Sequence, residues 1–203
     1  MARVEEKGGL MVRFSHWYAK LRYGRELTIT PVIAQSRPIM IGWGAFEWWN
    51  EHAHRVDARV KYLAETKVAT RVGCEFCIDI GSALARKAGV SEAQLRDFHD
   101  YRTSPEYSTA ERVAIEYAEE LTKEPVQVSD ELFARLREHF DDAQVVELTA
   151  AIAIENFRSR FNNALEVAPS GFSDGLFCPV PDAIAAGAGA GADGQSEEVR
   201  TSA

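Results

Sequence analysis

Several residue types are scarce in this sequence, and each scarcity narrows its chemistry. Three cysteines in 203 residues are too few for a disulfide-stapled small scaffold or a four-cysteine zinc site. Basic residues are outnumbered: 23 lysines and arginines against 31 aspartates and glutamates leave a formal charge of -8. That balance argues against nucleic acid or an anionic membrane as a partner, because both need a basic face. The longest apolar stretch is broken by Arg37 and Pro38, and residues 1–10 mix charges with glycines and lack the apolar core of an export signal. A cytoplasmic protein acting on small molecules or proteins is therefore expected, with no membrane partner. A glycine-rich phosphate loop, a nucleophilic-serine elbow, an internal repeat and strand-like alternation are all missing, so the expected fold class is all-α, with no cofactor.

What is present is helical periodicity. At 46% hydrophobic residues, a chain of this length can bury the core of one domain. Residues 13–21 place Phe14, Trp17, Tyr18 and Leu21 at helical spacing, giving a short amphipathic helix or arm within an N-terminal segment 1–37. Pro31 and Pro38 are read as bracketing an extended stretch. The aromatic run 39–54, with Trp43, Phe46, Trp48 and Trp49, is expected to be core or subunit interface, with a membrane-surface helix as the alternative. Helices follow over 56–72, closed by Gly73, and over 74–88. Ser91 with Gln94 and Ser108 with Glu111 fit capping boxes, and Ser129 or Asp130 opens a further short helix. The last helix, 142–165, is apolar on most of its circumference between Val145 and Ile154 and is expected to be enclosed on several sides, partly by other subunits of an obligate homo-oligomer. The domain is bounded at 38–181. From Asp182 onward, the Ala/Gly-rich and then polar composition of 182–203 reads as a disordered tail.

Against this background, Cys74-Glu75-Phe76-Cys77 stands out. At the start of a helix, cysteines three residues apart share a face, so their sulfurs can close a reversible disulfide, and the free N–H groups and dipole there favour the thiolate. The alternatives are half of a zinc site or two inert core residues. Zinc lacks its ligand set, because the remaining cysteine is Cys178 and no histidine follows at finger-like spacing, so no metal is expected.

Arg71-Val-Gly-Cys-Glu-Phe-Cys-Ile-Asp-Ile-Gly81 with Arg86-Lys-Ala-Gly-Val90 resembles the carboxymuconolactone decarboxylase and alkylhydroperoxidase D-like superfamily. The likeness continues through the Thr109-Ala-Glu-Arg helix, the Asp130-Glu-Leu-Phe segment and Val146-Glu-Leu-Thr-Ala to Asn156-Phe-Arg-Ser-Arg-Phe-Asn162, covering roughly 56–167. It implies an alkylhydroperoxidase D-like helical bundle that forms trimers or hexamers. One branch of that family acts on lactone acids without a cysteine pair, and the other reduces hydroperoxides with it. The pair places this sequence on the second side, with Cys77 attacking the hydroperoxide substrate, Cys74 resolving, and a dithiol or protein reductant closing the cycle. A lactone or aromatic-acid enzyme using Arg158 and Arg160 for a carboxylate, and a redox-responsive structural oligomer, are the alternatives.

The family's peroxidases carry a proton-relay glutamate twelve residues before the first cysteine and a histidine four after the second. Here these positions are Tyr62 and Gly81. Glu65, one turn beyond Tyr62 on the same face, is the candidate substitute base, with Tyr62 beside it. His54 is a further candidate imidazole. Asp79 and Glu75 are read as solvent-facing, since carboxylates beside a thiolate would disfavour it, and Cys178 as an apolar anchor.

Overall fold

Most helix starts in the described residues carry a capping side chain. The computed structural model describes residues 2–4 and 8–184. Among these, the helices are α1 (Leu10–Tyr23), α2 (Thr30–Ile33), α3 (Arg37–His52), α4 (Ala58–Val72), α5 (Glu75–Lys87), α6 (Glu92–Arg96), α7 (Thr109–Thr122), α8 (Asp130–Arg137) and α9 (Asp142–Leu165), and no strand is found. Ser91 and Ser108 form the expected capping boxes with Gln94 and Glu111, Asp141 and Gln144 form a third, and Ser129 caps α8. Each satisfies N–H groups that a helix start leaves without partners. No described helix is long and apolar enough to cross a membrane.

Within one chain, the helix enclosed on all sides is α4. It packs against α5, α7 and α9, and every residue from Leu63 to Thr70 is buried. Three of its buried side chains are charged, and each finds a partner: Lys61 pairs with Glu147 at 3.0 Å, Glu65 with Arg158 at 3.5 Å, and Lys67 with Glu119 at 3.0 Å. Desolvated charges survive only with such partners. By contrast, α9 leaves Val146 and Phe157 exposed.

Three apolar clusters surround α4. One joins α4, α7, α8 and α9 through Val68, Tyr117, Leu136 and Leu148. A second gathers Leu63, Phe98, Tyr101 and Ile115. The third brings Val12, Val32 and Met40 from α1 to α3 against Phe76, Cys74 and Cys77, so the N-terminal segment shares a core with the cysteines.

One local expectation is corrected, and another is narrowed to its subunit-interface form. The stretch between Pro31 and Pro38 is largely helical, because each proline sits in the first turn of its helix, where its missing N–H costs nothing. The aromatic helix α3 buries only Met40, leaving Ile39, Ile41, Phe46, Trp48 and Trp49 exposed and Trp43 half-buried.

The C-terminal segment returns across α4 and α5. Asp182, placed by composition at the start of a disordered tail, is instead fixed by Lys67 at 3.3 Å and Arg71 at 3.6 Å, with His99 at 3.5 Å. Burial opposes its ionisation, but the His99 hydrogen bond and the Lys67 charge prevail and bring its pKa down to about 2. Ile184 N–H closes a turn on the Pro181 carbonyl. The remainder of the expected tail, 185–203, lies outside the described residues.

Candidate active site

The cysteine pair is positioned by a one-residue junction. At the end of α4, Gly73 takes φ +77°, a left-handed conformation that disfavours other residues. The N–H groups of Gly73 and Cys74 both return to the Ala69 carbonyl at 2.9 Å. Cys74 is then free to cap α5: its Sγ accepts the Cys77 N–H at 3.2 Å. The two cysteines are disulfide-bonded with Cα atoms 5.3 Å apart, inside the usual range for a bridge. Cys74 is fully buried and Cys77 is 4% exposed. The sulfurs therefore sit at the positive end of a helix dipole within an apolar cluster, where exchange with solvent is restricted.

Asn162 supplies the polar contact from α9. Its Nδ2 lies 3.4 Å from Cys77 Sγ and 3.9 Å from Cys74 Sγ. One turn back, α9 carries a buried charge cluster. Arg158 reaches Glu47 at 2.6 Å and Glu155 at 3.0 Å besides Glu65, while Ser159 Oγ donates to Glu155 at 2.9 Å. Burial drives the Glu155 carboxyl up to about 7 against the opposing Arg158 charge, with Glu65 adding repulsion. Burial likewise raises Glu65, opposed by Arg158 and by the Asn50 hydrogen bond at 3.1 Å. Three carboxylates keep Arg158 protonated despite its burial.

The other residues singled out by sequence are dispersed around this centre. Half-buried Tyr62 packs in the cluster of Leu63 and Phe98, and burial, followed by the Glu65 and Glu51 charges, pushes its phenol above the usual value. Gly81 lies close to α4: a Cβ built there would approach Thr66 Oγ1 to 3.4 Å. His54 is exposed, with the His52 ring 6.3 Å away. Glu75 faces solvent, as read from sequence, but Asp79 does not. Asp79 is buried and accepts backbone N–H bonds from Ser170, Phe172 and Ser173 at 3.0, 3.0 and 2.7 Å, so its charge is spent on holding the C-terminal segment. Cys178 is a half-buried free thiol packed against the cysteine cluster. Among the described residues, no group of three or more histidines, cysteines or carboxylates is arranged to hold a metal ion.

Asn162 and Glu155 carried no functional assignment from the sequence, and Arg158 carried only the carboxylate-binding role of the lactone alternative. A signal existed: Glu155, Ser159 and Asn162 recur at i, i+4 and i+7, a polar line along the inward face of α9.

Residues 40–120 match the model of the carboxymuconolactone decarboxylase family, a segment that includes the whole cysteine junction. The chain belongs to the carboxymuconolactone decarboxylase and alkylhydroperoxidase D-like superfamily. It is 34% identical over 176 residues to the uncharacterized protein YnjA of Escherichia coli (strain K12), covering 85% of this chain and 93% of the relative. A solved protein of unknown function from Agrobacterium tumefaciens, described as a putative antioxidant defence protein AhpD, superposes with a TM-score of 0.63 at 26% identity. That match covers 67% of this chain and 94% of the other. The debrominase Bmp8 shares the fold with a TM-score of 0.69 at 19% identity, covering 78% and 85% of the two chains.

Proposed function

We propose that this superfamily member is a thiol-dependent hydroperoxide reductase. The observation that carries the reading is the Cys74–Cys77 disulfide at the start of α5, enclosed by apolar residues and contacted by Asn162. In the reduced protein, Cys77 loses its proton, for which Glu65 is the candidate acceptor, and the thiolate attacks the terminal peroxide oxygen. The S–O bond forms as the O–O bond breaks, leaving a sulfenic acid and an alkoxide that recovers the proton as an alcohol. The Cys74 thiol then condenses with the sulfenic acid, releasing water and giving the disulfide. A small dithiol or protein reductant restores both thiols by exchange and is itself oxidised to a disulfide.

Glu65 suits the base role because it is buried, raised in pKa, and joined to α9 at Arg158, four residues or about 6 Å along the axis from Asn162. Tyr62, whose phenol stays protonated, serves as a hydroxyl beside it. The lactone-acid reading loses its cations: Arg158 is enclosed by three carboxylates, and Arg160 is bound to Glu124 at 2.7 Å. The exposed apolar residues of α1 and α3 and Phe157 of α9 form the surface on which further copies pack into a trimer or hexamer.

The deciding experiment follows cumene hydroperoxide consumption with dithiothreitol as reductant. Cys77→Ser abolishes it, and Cys74→Ser, reduced and then freed of dithiothreitol, allows one turnover that ends in a sulfenic acid trapped by dimedone. Undiminished turnover by Cys77→Ser rules the mechanism out, and oxidation of the pair without any turnover leaves a redox-responsive structural protein.

A further inference from the structure

Asn162 is 2% exposed, and its Oδ1 is buried without a partner. The orientation of the amide is chemically consistent, because a disulfide sulfur has no hydrogen to donate and only the N–H end gains from facing it. Even so, a disulfide sulfur is a weak acceptor, and an amide buried with one half unmet is costly. The arrangement fits the reduced and sulfenic states better than the disulfide. Once Cys77 carries a negative charge, the same N–H makes a charge-assisted bond. No cationic side chain contacts either sulfur among the described hydrogen bonds and ion pairs, so the amide and the N-terminus of α5 are the groups placed to stabilise that charge.

We propose that Asn162 is a catalytic residue of the dithiol, with Nδ2–H stabilising the Cys77 thiolate and Oδ1 accepting the hydroxyl hydrogen of the Cys77 sulfenic acid. The thiolate role is independent of the substrate, whereas the sulfenic acid role rests on the hydroperoxide reading.

The test uses the full chain carrying Cys74→Ser, so that Cys77 is the sole thiol of the pair, and follows its iodoacetamide alkylation against pH by mass spectrometry. Asn162→Ala and Asn162→Leu, which keeps the branching but no hydrogen-bonding group, each raise the alkylation midpoint by about one unit, which is about tenfold less thiolate at neutral pH. If the alanine variant loses its helical circular dichroism, the leucine variant decides. A midpoint unchanged in a folded variant overturns the thiolate role. After one equivalent of cumene hydroperoxide, dimedone labelling shows a sulfenic acid several-fold shorter-lived in Asn162→Leu; an unchanged lifetime overturns the Oδ1 role. Because alkylation needs no peroxide, a protein that consumes none refutes the reductase reading while the midpoint still judges Asn162.

Discussion

Replacing Asp79 by alanine removes the acceptor for three backbone N–H groups at once, those of Ser170, Phe172 and Ser173. Each hydrogen bond to a charged acceptor is worth about 1.5–3 kcal/mol net. The three are not additive, because residues 170–173 can peel away and hydrate their N–H groups, so the expected loss is about 3–5 kcal/mol. For a chain of this size that lowers Tm by roughly 6–20 °C. Asp79→Asn keeps one carbonyl acceptor and loses about 1–3 kcal/mol. Urea denaturation gives the totals, and hydrogen exchange at Ser170, Phe172 and Ser173 tests the cause, since protection there falls before protection in α4 does. An Asp79→Ala protein within about 1 kcal/mol of the parent, with these amides still protected, would refute the argument.

Glu155 makes stability depend on pH in a definite direction. Its folded pKa of about 7 exceeds the ordinary 4.5, so its contribution is complete below the ordinary value and is lost as pH rises through 7. Urea midpoints at pH 5 and pH 8 therefore fall further for the parent than for Glu155→Gln, and equal falls would contradict the assignment. Asp182 behaves oppositely: its depressed pKa contributes stability above the ordinary 3.8 that disappears as pH falls toward 2. Asp182→Asn costs about 1–3 kcal/mol and exposes residues 176–184 to limited proteolysis, while Lys67 keeps its bond to Glu119; an unchanged cleavage rate would contradict the strap. The exposed face of α3 predicts a sedimenting trimer or hexamer at micromolar concentration that Phe46→Glu with Trp49→Glu dissociates, and a parent monomer would refute it.

How much of this was legible in the sequence depends on where partners came from. The helix starts at Ser91, Ser108 and Asp142 were readable because capping is local, needing only residues three apart. The cysteine junction was readable for the same reason. The central position of α4 was not, since Lys61, Glu65 and Lys67 give it the polar content of a surface helix. Their partners Glu147, Arg158 and Glu119 lie 52 to 93 residues away in sequence. Asp79 misled for the same reason: a carboxylate beside cysteines reads as solvated until the loop 170–173 supplies its N–H groups. The exposed aromatics of α3 record the complementary limit, because an apolar face seen in one chain looks alike whether it is core or contact surface.

The most direct test of the central claim adds one equivalent of cumene hydroperoxide to the fully reduced protein, alkylates it, and quantifies the peptide carrying Cys74 and Cys77 together with the alcohol released. The account predicts one Cys74–Cys77 disulfide and one cumyl alcohol per equivalent consumed, with Cys178 still alkylated. Both cysteines alkylating fully while the peroxide persists would contradict it.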